Sequence, residues 1–537
     1  MRSNLVYSLA LALALALALA LALGGATSAT ATPPASRQYA NPIIWADYSD
    51  PDVIRVGDRY YMVSSSFHLS PGIPVLESAD LVTWRIIGHV LPRLPFDPAY
   101  DMPGPHTLTD AISKPIGGTR YASGTWAPSI RHHAGKFFVY VATPDEGIFM
   151  MTATDPRGPW SAPIQVIAGP GLEDPCPFWD DDGSAWLIHG RVGAGPLILH
   201  RMSADGTRVL DDGIVVAEDR QRLPVLEGPK LYKRDGYYYI FAPIGGVSTG
   251  PQAVGRSRRI TGPYEWRDVL LPTAEVKGPH QGGYVETPSG HGWFVHFNST
   301  GAFGRITWLE PVRWEDGWPM MGDAFNRPVA SAAAPDVPAS SPRFALQASD
   351  EFSGRRLGLQ WQWNHNPDDR RWSLADRPGW LRLSAGHARY LTRARNTLTQ
   401  MLTGPQMVAT TRIDLRRMAD GQRAGLTMFG VRPTWIGAVR EGGVTRLAFA
   451  SEGVETLGEP LPATALFRVE VGPDQRAHYS WSADGRHFSP FGRALQLAPF
   501  SWWRGSRPGL FTFTHAPSPA GSIDVDWVRI SSRKEKK

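Results

Sequence analysis

Residues 50–67, DPDVIRVGDRYYMVSSSF, decide how this chain is read. An acid and a proline open a short apolar strand, a turn containing glycine follows, and an aromatic-rich strand returns. The phrase recurs as WAPSIRHHAGKFFVYVATP from Trp126, DPCPFWDDDGSAWLIHG from Asp174, EGPKLYKRDGYYYIFAP from Glu227 and GPHQGGYVETPSGHGWFVHF from Gly278. The last four copies start 48, 53 and 51 residues apart, and the first gap is 76, as if one loop were enlarged between Arg85 and Tyr121. A period near 50 residues of strand character predicts a β-propeller, here with five blades. Blades are arranged radially, so the residues heading each copy should converge on one axis. These are Asp50, Trp126, Asp174, Glu227 and, two residues into the fifth copy, His280.

The rest of the chain sets the context. There are 55 glycines and 47 prolines in 537 residues, which favours turns and short strands over long helices. The 20 tryptophans suit either all-β packing or flat sugar rings. Arg2 precedes an apolar Leu-Ala run over residues 5–23 and small residues at 24–31, a secretory signal layout covering residues 1–31. This predicts a secreted or periplasmic protein with no membrane association once the signal is cleaved. An uncleaved anchor is the alternative. Cys176 is the only cysteine, so no disulfide forms within one chain, and it reads as a small core hydrophobe. A net charge of +5 from scattered basic residues argues against a nucleic-acid partner.

The propeller is expected over residues 39–322. A Pro-, Ala- and Ser-rich linker follows over 323–342, and its length is compatible with either a docked or a freely tethered module. Residues 343–532 alternate apolar and polar positions, as in WLRLSA (380–385) and SIDVDWVRI (522–530), which predicts a β-sandwich. No nucleotide, zinc-protease or serine-hydrolase motif is present.

A lone Asp-Pro marks a turn. Acids recurring at one phase of three blades mean something else, because carboxylates gathered on an axis repel and at least one pKa must rise. Such a cluster suits glycoside hydrolysis, which needs one carboxylic acid and one carboxylate. The apolar and aromatic strand after Glu227 suits a proton donor with a raised pKa.

These stretches, with GTWAPSI (124–130) and GAFGRITW (301–308), resemble glycoside hydrolase family 43. The resemblance spans nearly all of residues 39–322. It implies an inverting mechanism with Asp50 as general base, Glu227 as general acid and Asp174 as the residue that orients the acid and raises its pKa. It implies sugar packing by Phe67 and Trp126, a sugar-hydroxyl contact from Arg305, and a central His280 at the substrate that binds calcium or its waters in many members. No cofactor is required on this reading, with Ca2+ as a structural or activating ion. Asp52 is the alternative base, since the first motif reads Ser-Asp-Pro-Asp. The second half, above all DEFSGRRLGLQWQWNHNPDDRRWSL (350–374), is similar to the concanavalin-like C-terminal domain of family β-xylosidases, in which a loop narrows the pocket.

The expected partner is a plant cell-wall oligosaccharide. β-Xylosidase action is the leading expectation. α-L-Arabinofuranosidase action on arabinoxylan or arabinan is the alternative, because the two sugars present similar hydroxyls. Action on another glycan such as a galactan and a non-catalytic sugar-binding propeller are more remote. The enlarged first loop is expected to set that choice.

Overall fold

Each repeated phrase folds into the two inner strands of an antiparallel sheet, four-stranded in the first four blades and five-stranded in the fifth. The computed structural model describes residues 37–103, 118–341, 345–516 and 521–532. The signal segment and the tip of the enlarged loop lie outside the described residues. Of the unit Met1–Gln38, only residues 37 and 38 are described; Tyr39–Lys537 forms the other unit. The helical elements among the described residues are four short 3-10 turns.

The first blade is Asp52–Val56, Arg59–Val63, Gly72–Ser78 and Trp84–Leu91. The second starts with Trp126–His133, the third with Leu172–Trp179, the fourth with Lys230–Arg234 and the fifth with His280–Glu286. The tight turns follow from their sequences. Asp235 and Gly236 take φ of +50° and +73° between Arg234 and Tyr237, the mirror-image turn that matches strand twist. Ala134 and Gly135 do the same in the second blade.

Five buried apolar clusters hold the blades together, one between each consecutive pair. Val63, Ile73 and Val75 of the first blade meet Phe137 and Val139 of the second, for example. Ring closure comes from outside the repeats. Ile44–Asp47 pairs with Arg305–Glu315 as the outer strand of the fifth blade, so the two ends of the propeller are stitched into one sheet.

The second half forms a nine-stranded sheet and an eight-stranded sheet with a shared core. The nine-stranded sheet ends on a strand of the propeller. Leu69–Ser70 pairs antiparallel with Gln362–Asn364, with Trp363 opposite Ser70 and Asn364 opposite Leu69. Ala302, Phe303 and Ile306 of the fifth blade belong to the sandwich core.

Of the two arrangements open to the linker, its described part takes the docked one on the propeller. The Val329 amide donates to Glu310 at 3.0 Å, the Ser340 amide donates to Asp80 at 2.9 Å, and Val329, Ala332 and Ala334 pack against the cluster between blades five and one. The enlarged loop also differs from expectation. Arg85 lies inside the strand Trp84–Leu91, so the extra length follows Leu91. Its described part holds the sandwich: Asn366 exchanges two hydrogen bonds with the Leu94 backbone, and the Tyr121 hydroxyl accepts from Asn364 at 2.7 Å.

Candidate active site

The head of each copy sits where the chain enters an inner strand at the axis. Asp50 and Asp174 have φ of +52° and +55°, and Phe67, Ala127, Val225, Gln281 and Trp503 are also in the left-handed region. Side chains other than glycine rarely take this conformation, which costs roughly 1–3 kcal/mol each. All seven line one cavity of about 380 Å³, together with Trp126, Glu173, Ala194, Glu227 and Arg305. Strain concentrated around a cavity marks a site held in shape by the surrounding fold.

Asp50 is set from both sides. Arg305 Nη1 donates to Oδ1 at 2.6 Å and Ser65 Oγ donates to Oδ2 at 2.5 Å, while Ser65 itself accepts the Ala127 amide at 2.7 Å. Arg305 lies beside the rings of Phe297 and Phe67, 4.9 and 6.0 Å from their centres. Asp174 accepts the Gly228 amide at 2.7 Å, which ties it to the residue after Glu227. Behind it, the fully buried Lys230 donates to Ser129 Oγ at 2.7 Å, and Ser129 donates to the Pro175 carbonyl at 2.6 Å.

His280 Nε2 lies 2.9 Å from Glu227 Oε1, close but out of line for a hydrogen bond, and both ring nitrogens remain without one. The imidazole is fully buried and is not among the residues that line the cavity, so it backs Glu227 where the sequence implies a residue facing the substrate. Calcium takes six to eight oxygen ligands, and His280 offers nitrogen. Among the described residues, the one such group whose ligand atoms come together is Glu173, Asp174 and Glu227, within 4.8 Å of one another and without His280. With Nε2 facing Glu227, the His280 Nδ1 suits a water or a hydrated ion, not a place in an oxygen cage.

The electrostatics divide the carboxyls. Burial pushes Glu173 and Asp174 well above the ordinary carboxylate range, and the neighbouring carboxylates, Glu227 among them, push them further. Burial also raises Glu227, but His280 and Arg305 outweigh it and leave Glu227 below its ordinary value. The expected rise at Glu227 itself is therefore absent. The raised carboxyls of the cluster are Glu173 and Asp174.

Asp52 is committed elsewhere. It accepts from Arg131 Nη1 at 2.6 Å and from the Ile130 amide at 2.9 Å, on the inner wall away from the cavity. Cys176 is fully buried and accepts from Arg131 Nη2 at 2.9 Å. None of the described residues between 85 and 121 lines the cavity.

Among the polar and aromatic residues of the cavity, three escape both the repeats and the resemblance. Glu173 is one. Gln281 is another, beside His280. The third, Trp503, comes from the sandwich and meets Trp126 edge-on at 5.7 Å. Its loop is locked to the propeller: Trp502 stacks on Tyr121 at 4.1 Å, the buried Arg504 lies 3.2 Å from His68 Nε2, and the Gly505 amide donates to Asp47 at 2.8 Å.

Comparison with known proteins agrees with this architecture. Residues 349–531 match the family model described as the β-xylosidase C-terminal concanavalin A-like domain. A Xylanibacter ruminicola protein with a provisional β-xylosidase name is 42% identical over 88% of this chain and 86% of its own. A β-xylosidase of Formosa agariphila is 35% identical over 91% of this chain and 89% of its own. A solved family member, engineered at its active site to show endo-xylanase and exo-arabinofuranosidase activity, superposes with a TM-score of 0.81. It is 28% identical and covers 92% of this chain and 100% of its own. Residues 39–319 match the model of glycosyl hydrolases family 43, and on this evidence the chain is an enzyme of that family.

Proposed function

We propose that the chain is an exo-acting, inverting β-xylosidase that releases xylose from the non-reducing end of β-1,4-xylo-oligosaccharides. The observation that carries this is the cavity itself, floored by Asp50, Asp174 and Glu227 and walled by Trp503 from the second domain. A pocket walled from a second domain suits a chain end better than an internal stretch of polymer. The β-xylosidase names of the relatives support the sugar.

In this mechanism Asp50 is the general base. Both of its oxygens are held as acceptors by Arg305 and Ser65, which fixes their direction toward a water. Glu227 is the general acid, the most accessible carboxyl of its cluster, with its side chain 18% exposed. Asp174 orients Glu227 through the Gly228 amide. Asp50 stands outside the close group of three carboxyls. An inverting enzyme needs a wide acid–base separation, about 6.5–9.5 Å, against about 5–5.5 Å in a retaining one. Phe67 and Trp126 pack against the sugar, and Arg305 completes the contacts to its hydroxyls. Export belongs to the same proposal, supported by the apolar run at residues 5–23.

The test is hydrolysis of nitrophenyl glycosides and xylobiose, with the first-formed anomer read by NMR. The expected result is α-xylose as the first product from β-linked substrate. Preferential turnover of an α-L-arabinofuranoside selects the alternative sugar, a retained anomer defeats the assignment of base and acid, and no turnover of any glycoside overturns the enzyme reading.

A further inference from the structure

Glu173 is a fourth carboxyl at the axis, and hydrolysis as described leaves it without a role. Side chains alternate along a strand, so consecutive residues should face opposite ways. The strand Leu172–Trp179 breaks that rule. Its register with Ala185–Arg191 shifts between Glu173 and Cys176, and Asp174 takes φ of +55°. A bulge of this kind re-aims a side chain, and here Glu173 and Asp174 both line the cavity.

Space is kept for the side chain. Gly190 is paired with Glu173, and a Cβ at 190 would come within 3.3 Å of Glu173 Cγ. Glu173 is only 5% exposed, and its Oε1 is buried with no hydrogen-bond partner. An orphaned buried polar atom costs about 1–3 kcal/mol. Its ligand atom also lies within 4.8 Å of those of Asp174 and Glu227, which repel it when charged. A group this unfavourable to the empty protein is explained by what it binds.

We propose that Glu173 is a further substrate-binding residue, its carboxyl taking a hydroxyl of the sugar seated against Asp174 and Glu227. The proposal rests on the glycosidase reading above. A sugar hydroxyl both donates and accepts, so it suits a carboxyl in either protonation state. A site built to bond a hydroxyl also rejects an analogue that lacks it, because the buried partner is left unpaired.

The test compares the full chain with Glu173→Gln and Glu173→Leu on nitrophenyl β-D-xyloside and its 2-, 3- and 4-deoxy analogues. If the wild type prefers the α-L-arabinofuranoside, the same series is built on that sugar. Turnover of the parent glycoside by the wild type judges the enzyme reading separately. The wild type should lose about 10- to 100-fold in kcat/KM on one deoxy analogue. Glu173→Leu should lose a similar factor on the parent and nothing further on that analogue. Glu173→Gln, which keeps a hydrogen-bonding group, should stay within a few-fold of wild type on the parent. Neither variant should melt below wild type. Glu173→Leu with the wild-type rate on the parent, or with every deoxy penalty unchanged, overturns the proposal. If Glu173→Leu does not fold, a deoxy profile of Glu173→Gln identical to wild type overturns it. Activity that is lost to a chelator and restored by calcium also overturns it, since the carboxyl would then serve an ion.

Discussion

On the proposed mechanism Glu227 and Asp50 face the same sugar with different duties, and the leaving group separates them. A nitrophenolate needs little protonation, so Glu227→Gln should lose about 10²–10⁴-fold on xylobiose and far less on nitrophenyl xyloside. Asp50→Asn should lose activity on both alike, because water must be activated either way. Steady-state kinetics on the two substrates checks this, and equal patterns in the two variants would show the roles to be wrongly divided. A second prediction concerns stability. Glu173 and Asp174 have folded pKa values above their unfolded ones. Their contribution is fully present below the ordinary carboxylate range near ~4 and is lost as pH rises through the raised folded values. Asp174→Asn should therefore match or trail wild type at acid pH and gain at least about 1 kcal/mol on it above neutrality. Urea midpoints from pH 4 to pH 9 measure the crossover. The acids themselves are legible in the sequence because they recur at one phase of the repeat. Glu173 is not, because strand alternation turns it outward and nothing in Glu-Asp-Pro announces a bulge. The depressed Glu227 is equally hidden, since it depends on His280 and Arg305 arriving from another blade.

At the scale of elements, the strands that repeat are readable and those that close the structure are not. The turn residues and aromatic alternation of each phrase specify a hairpin locally. Ile44–Asp47 has no repeat partner, and only the ring as a whole gives it a place. Asp47 at its end joins three parts of the molecule. It accepts the Arg305 amide at 3.0 Å, Ser49 Oγ at 2.7 Å and the Gly505 amide at 2.8 Å. Asp47→Ala would strand buried donors on the closing strand, the fifth blade and the sandwich loop. It should cost about 3 kcal/mol or more, seen as a lowered calorimetric melting temperature. Catalysis per folded molecule should fall too, since Arg305 holds Asp50. A variant that melts with wild type would show that the ring closes without this junction. The enlarged loop teaches the same lesson. Its length is plain in the sequence, but its purpose, holding Asn364, His365 and Asn366 of the sandwich, appears only when both domains are in place.

For the whole molecule, the issue is whether the sandwich is an accessory or part of the enzyme. The length of the linker over residues 323–342 is compatible with either. The contacts favour the second: a shared sheet edge at Leu69–Ser70, a core that includes Phe303 and Ile306, and Trp503 in the cavity wall. Two variants separate scaffold from pocket. Trp503 is 37% exposed, so Trp503→Ala should leave the melting temperature within a degree or two while raising KM for xylobiose about 10-fold. Truncation after residue 342 removes wall and scaffold together. It would bare Phe303, Trp45 and the backbone of Leu69–Ser70, an unpaired edge of the kind that aggregates. The truncated propeller should be poorly soluble, and any soluble fraction should turn over xylobiose at least as poorly as Trp503→Ala. A soluble propeller with full activity on xylobiose, beside an isolated sandwich that binds insoluble xylan, would instead make the second domain a tethered binding module.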